Sequence, residues 1–554
     1  MGEIRLAEVM TSLAMATGLG MGQSMDWALR GCLLSVRFAE AIALAPSILR
    51  DVYYLSLLHY IGCTTDAHQA ARFFGNDLNL MRYFALNHMG IMPLEATELS
   101  NPLTPKQAPP PDWQRESNLV RCDVAMRLAK WCGFWTEIQT GLWQLFERWN
   151  GEGLPNGLKG EAIILPVRLV QIAQDAETFY RIGGVKTAIA VIKERAGSGY
   201  DPDLAACFCS LADELFISLE EVSLRQAILD AEPLPQHILS AKQFERTLEA
   251  IADFVDIKSP FTAGHSRGVA KLAVSTAKQF DLPEESVRLL RQAALLHDIG
   301  QVSIPTEIVD KPTALTECDW EQIRLHPYFT ERVFARAQPL QPIGATAALH
   351  RERLDGSGYH RGLPASMQPL IARILATAEV YQAMTEPRSY RPPIATEDAS
   401  KILQQEVAAG KLDGEVVKAI LTIAGHSVSS QQRQWAGGLS QREIEVLRFL
   451  ARGHSNREIA EILHISIKTV GHHVQHIYNK LGVSNRAAAT LYAMQHSLLH
   501  DHLGSINSLG GAPRSGYRWR IPQTAKLNRL VQRGNDGELF EQFYTQKLAY
   551  PISV

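Results

Sequence analysis

Composition alone marks out little in this chain. Its 554 residues hold no Cys-x-x-Cys pair, and the seven cysteines (Cys32, Cys63, Cys122, Cys132, Cys207, Cys209 and Cys318) are scattered and odd in number. That argues against a disulfide framework or a cysteine zinc site and points to a reducing cytoplasm. No sign of charge dominates: 55 Lys and Arg against 58 Asp and Glu leave a net charge of -3, so any nucleic-acid surface has to be local. Long apolar runs are missing as well. The most apolar early stretch, Ala28 to Pro46, is interrupted by Arg30, Arg37 and Glu40, and no leader pattern opens the chain. The expectation is a cytoplasmic protein with no membrane partner. Alternating strand-like runs are scarce, whereas apolar residues recur at helical spacing, as in Leu289, Leu290, Ala293, Ala294 and Leu296. The fold class expected is all-α, in several domains.

Pro-rich or Gly/Ser-rich breaks fall at Leu103 to Asp112, Ala231 to Gln236 and Ser427 to Gly438. The last two predict domain boundaries, giving units at 1–235, 236–430 and 436–499. Residues 500–554, with little periodicity, read as a loosely ordered tail with a short helix near Glu538 to Leu548. The first two units repeat each other. SLLHYIG (Ser56 to Gly62) matches ALLHDIG (Ala294 to Gly300), and GQS (Gly22 to Ser24) matches GHS (Gly264 to Ser266). ERWNGEGLPNGL (Glu147 to Leu158) matches ERLDGSGYHRGL (Glu352 to Leu363), and RLVQIAQ (Arg168 to Gln174) matches RILATAE (Arg373 to Glu379). Four matches in one order predict a duplicated domain.

The two copies differ in chemistry. Adjacent His297 and Asp298 follow an apolar run, where charged side chains are rare unless paired or metal-bound. His265, His326, His350 and Glu379 complete a set of imidazoles and carboxylates suited to hydrolytic divalent metals. In the first copy the matching positions read Gln23 for His265, His59-Tyr60 for His297-Asp298, Leu145 for His350 and Gln174 for Glu379. The first copy therefore predicts a fold kept without its metal.

The ordered motifs GHS, HDIG, IVDKPTALT, HP, ERLDGSGYHRG and RILATAE resemble the HD-GYP branch of the HD-domain phosphohydrolases, over about Lys242 to Ala424. The resemblance implies tandem helical HD-type domains, the first degenerate. It also implies a divalent metal such as iron or manganese and hydrolysis of cyclic di-GMP. Carried over, His265, His297, Asp298 and Glu379 would form one metal site. Asp298 would bridge to a second with His326 and His350, and His297 and Asp298 would be the catalytic pair. The loop glycines Gly356 and Gly358 would let backbone N–H groups approach phosphate or shape the pocket mouth. Three departures qualify this reading. Gln301 replaces a lysine after HDIG, Arg351 replaces a second histidine after His350, and Glu379 replaces an aspartate. Arginine offers no lone pair, so the second site loses a contact; His360 is a candidate replacement.

Gly438 to Leu499 carries three short helical patterns. Ser440 with Glu443 and Ser455 with Glu458 predict capping boxes, and Ser466 predicts a cap for the next helix. Seven Lys and Arg against four Glu between Gly438 and His496 give a local balance of +3, the footprint expected of a module that meets phosphates. The stretch resembles the LuxR-type helix-turn-helix. By that resemblance Ile467 to Leu481 lies in the major groove, normally from a homodimer. Contacts to duplex DNA would come from Lys468, Thr469, His472, Gln475 and His476, with backbone contacts from Asn456 and Lys480. Gly471 stands where a lysine is common. Two readings stay open: a DNA-binding regulator whose metal domain hydrolyses or senses a cyclic dinucleotide, or primarily a phosphodiesterase with accessory DNA binding.

Overall fold

The computed structural model describes residues 4–86, 106–220, 223–335, 337–425, 436–496 and 498–499. The expected tail at 500–554, with its short helix, lies outside them. Within the described residues the chain is helical throughout, apart from a two-residue ribbon pairing Ile4–Arg5 with Ile238–Leu239 antiparallel. None of the described helices is long and apolar enough to cross a membrane.

The duplication is visible in the packing. In the first copy, helices Trp27–Ala41, Pro46–Leu58 and Leu165–Arg195 pack on one another. In the second, His265–Gln279, Glu284–Leu296 and Leu370–Thr385 do the same. His59 and His297 each sit where the middle helix of the trio closes. The glycine loops are organised alike, each around a buried glutamate. Glu147, fully buried, accepts N–H groups from Asn156 (2.7 Å) and Leu158 (2.8 Å). Glu352 accepts them from Arg361 (2.9 Å), Gly362 (3.2 Å) and Leu363 (2.8 Å). In both copies a glutamine, Gln171 or Gln368, donates to backbone carbonyls of the same loop.

These contacts give the loop glycines a structural role. Gly358 needs its missing side chain because a Cβ there would come within 2.4 Å of Glu352 Cα, and Gly153 meets Glu147 Cα at the same 2.4 Å. The N–H groups of Gly356, Ser357, Tyr359 and residues 361–363 are satisfied inside the loop itself. The loop is folded around its buried glutamate.

The helix Leu6–Gly20, buried on nearly every face, packs against residues 299–303 and so joins the two copies. An all-round apolar helix has to lie inside. The C-terminal module has its own core, built from Ile444, Leu447, Ile459, Val470, Ile477 and Ala489 among others. Its capping boxes at Ser440 and Ser455 form as the sequence predicts, and Ser466 caps Ile467–Leu481. The module docks on the first-copy helix Trp113–Cys132. Arg127 Nη2 donates to Gly482 O (2.9 Å), and Asn485 Nδ2 donates to Asp123 Oδ2 (2.8 Å).

Candidate metal centre

Local folding explains how the polar side chains come to be buried together. His265 is the first residue of its helix, reached through Gly264 at φ 79°. His297 and Asp298 follow the apolar face of Glu284–Leu296, His326 opens His326–Ala335, and His350 lies in the turn Ala348–Arg351. Glu379 is in the middle of Leu370–Thr385. All six are buried.

Four imidazole Nε2 atoms converge on one carboxylate. His297 and His265 approach Asp298 Oδ2 at 3.2 and 3.8 Å. His350 and His326 approach Asp298 Oδ1 at 3.3 and 3.6 Å. Each carboxylate oxygen thus faces its own pair, and the ligand atoms fall into two groups, His265–His297–Asp298 and Asp298–His326–His350.

The other ring nitrogens decide what the Nε2 atoms offer. Nδ1 of His297 lies 2.8 Å from Ala294 O, that of His326 lies 2.5 Å from Ile323 O, and that of His350 lies 2.8 Å from Ala347 O. A carbonyl only accepts, so each Nδ1 carries a proton and leaves Nε2 as the nitrogen that can offer a lone pair. His265 Nδ1 is held at 2.7 Å by Glu386 Oε2, itself braced by Arg388 at 3.3 Å.

Electrostatics keeps this pattern. Burial, with His350 beside it, holds His326 far below the usual imidazole range; burial also pushes His350 down to about 3. Burial alone would raise Asp298, but His297 and His350 outweigh it and hold the carboxyl well below its usual range. The result is a carboxylate beside two imidazoles, His326 and His350, that burial keeps neutral; at His265 burial works against the charge, but Glu386 outweighs it and raises the imidazole. His326 Nε2 and His350 Nε2 are 2.9 Å apart. Two lone pairs at that distance repel unless a cation lies between or beside them. His297 Nε2, Asp298 Oδ1 and both Glu379 oxygens are buried with no hydrogen bond. Orphaned buried acceptors are costly, and a divalent cation would satisfy them. The donor set therefore fits a metal.

Glu379 stands apart from the two groups. Its Oε1 lies 2.9 Å from Arg351 Nη2, so the arginine that replaces a histidine faces the glutamate that replaces an aspartate. Burial works against the Arg351 charge, but Glu379 outweighs it and keeps the guanidinium fully protonated. His360 does not join the ligands. Its Nε2 lies 3.4 Å from Glu331 Oε2, because the loop turns it towards Tyr328 and Glu331. Glu386 and the loop glutamate Glu352 were missed in the sequence. Glu352 stands in the repeated ER pair, which was a usable signal; Glu386 lies 121 residues from the histidine it holds.

In the first copy the corresponding described residues pack against one another. Trp27 stacks on Tyr60 with centroids 4.4 Å apart, and Gln174 presses so close to Gly31 that a Cβ there would meet its Oε1 at 2.1 Å. Aromatic packing occupies the place where the second copy gathers ligands.

In the C-terminal module, Lys468, Thr469, His472, Gln475 and His476 share the exposed side of Ile467–Leu481, and Asn456 is half-buried at the start of its helix. Lys480 is tied down: its Nζ lies 2.7 Å from Glu443 Oε2, within the module. A Cβ on Gly471 would meet nothing within 4 Å.

Comparison with known proteins matches both parts. Residues 122–204 and 249–416 match the HD domain family, so both copies are included, and residues 438–493 match the LuxR family of bacterial regulatory proteins. A 3'3'-cGAMP-specific phosphodiesterase 3 of Vibrio cholerae is 29% identical over 418 residues, covering 73% of this chain and 91% of the relative. A cyclic di-GMP phosphodiesterase of Thermotoga maritima is 35% identical over 179 residues, 32% of this chain and 47% of the relative. A crystal structure of a cyclic GMP-AMP-specific phosphodiesterase from V. cholerae superimposes with a TM-score of 0.56 at 25% identity, covering 77% of this chain and 99% of that one.

Proposed function

We propose, from the premise that this chain is an HD-domain metal-dependent phosphohydrolase joined to a LuxR-family DNA-binding module, that its second copy hydrolyses a cyclic dinucleotide and its C-terminal module carries that event to DNA. The observation that carries the reading is the convergence of four imidazole Nε2 atoms on the two oxygens of Asp298. In this reading residues 1–235 are the metal-free copy, 236–430 the hydrolytic copy and 436–499 the DNA-binding module.

The residues divide the work as follows. His265, His297 and Asp298, with Glu379, hold one divalent cation, and Asp298, His326 and His350 hold a second position. Such cations lower the pKa of a water and neutralise a phosphodiester during in-line attack. Asp298 supplies the shared negative charge, and Ala294 O, Ile323 O and Ala347 O keep three of the imidazoles in the ligating tautomer. Glu386 does the same for His265. The relatives that act on cyclic GMP-AMP and cyclic di-GMP favour a cyclic dinucleotide as substrate over a generic phosphoester. Lys468, Thr469, His472, Gln475 and His476 then read the major groove, with Asn456 and Lys480 against the backbone and two chains paired on one site.

A second reading, a sensor that holds the dinucleotide without turnover, is favoured by the Arg351–Glu379 contact beside the ligands. One experiment separates the two. The full chain loaded with Mn²⁺ or Fe²⁺ is incubated with 3'3'-cGAMP and cyclic di-GMP, and products are followed by chromatography. The hydrolytic reading predicts metal-dependent linear product; tight binding with no product by the metal-loaded chain supports the sensor.

A further inference from the structure

Arg351 is the one ligand-set departure that brings a charge into the site. Its side chain is 24% exposed and so in reach of solvent, while its partner Glu379 is fully buried. Glu379 Oε1 is close to Nη2 but is not aligned to accept a hydrogen bond, and Arg351 Nε is buried with no acceptor. A guanidinium has five N–H donors in a planar fork, so Arg351 keeps donors in hand. The neighbouring cations are engaged elsewhere. Arg353 Nη1 donates to Glu352 O at 2.8 Å, and Arg388 holds Glu386 and Phe261 O. Lys258 Nζ is buried against Val302 O and Ile304 O. The position after HDIG is the neutral Gln301.

We propose that Arg351 is the phosphate-binding cation of this site, gripping a non-bridging oxygen of the phosphodiester with the donors that Glu379 leaves unused. The proposal rests on the reading that the second copy takes a phosphodiester. It gives a physical sense to two departures at once. The cation absent at Gln301 is supplied by Arg351, and the lost histidine ligand is exchanged for a substrate contact. Arg–phosphate pairs are strong because donor and acceptor are both charged and the fork matches two oxygens.

The test compares Arg351→Gln and Arg351→Lys with the unmodified chain, all loaded with Mn²⁺. Metal content is measured by elemental analysis, and affinity is measured calorimetrically for the hydrolysis-resistant bisphosphorothioate of 3'3'-cGAMP. Arg351→Gln is expected to keep the metal content of the unmodified chain and to weaken dinucleotide binding by at least about tenfold. Arg351→Lys keeps the charge but not the fork, and is expected to fold and to weaken binding by a smaller factor. Unchanged affinity in either variant would overturn the proposal. So would loss of metal from Arg351→Gln, which would make Arg351 a counter-charge for the ligand set. An unmodified chain that takes up no metal and binds no dinucleotide would instead overturn the underlying reading, and the proposal with it.

Discussion

Asp298→Ala is expected to leave a folded protein that no longer retains manganese and turns over a cyclic dinucleotide at least about 1000-fold more slowly. The magnitude follows from the position of the carboxylate. Its Oδ2 faces His265 and His297, and its Oδ1 faces His326 and His350. Its removal takes a ligand from both groups at once and leaves Glu379 as the one carboxylate of the proposed ligand set. Stability should fall much less. The helices around the site are packed through apolar cores that the substitution does not touch, although the depressed carboxyl shows that Asp298 contributes some stability of its own. Metal content by elemental analysis, turnover and a thermal melt check the three parts. Retained metal with retained turnover would remove Asp298 from the centre.

The second large effect is expected at the other end of the chain. Lys468→Ala with His472→Ala should weaken binding to duplex DNA by about 10- to 100-fold and flatten the dependence on salt. Both side chains lie on the exposed face of Ile467–Leu481, clear of the module's core. Lys480→Ala should do less to DNA binding, because Lys480 already pairs with Glu443 and its loss also unties two helices. Conversely, Gly471→Lys meets nothing that would obstruct it and adds a cation on this helix, so tighter binding at low salt is expected. Fluorescence anisotropy with a labelled duplex at several salt concentrations measures all of these. An unchanged salt slope in Lys468→Ala with His472→Ala would move the DNA face elsewhere.

Local chemistry was legible in the sequence where it is written locally. Ser440, Ser455 and Ser466 cap their helices because a cap needs only a side-chain oxygen and the N–H groups that follow it. The duplication was legible because buried glutamates and glycines recur in register. The chemistry of the second copy was legible from His297 and Asp298, since a charge behind an apolar run has to be compensated. Long-range compensation was not legible. Glu386 holding His265, Trp27 stacked on Tyr60, and Asn485 bonded to Asp123 link residues far apart in sequence. The packing role of the glycines of DGSGYHRG was not legible for the same reason. Their conformations serve Glu352, whose carboxylate gathers the loop's N–H groups inward.

The most direct test of the account is anomalous diffraction at the manganese edge from a crystal of the chain grown with Mn²⁺. The account predicts a peak among His265, His297 and Asp298 and none between His59, Tyr60 and Gln174, where Trp27 and Tyr60 fill the space. A peak in the first copy, or none beside Asp298 in a crystal of demonstrated manganese content, would contradict it.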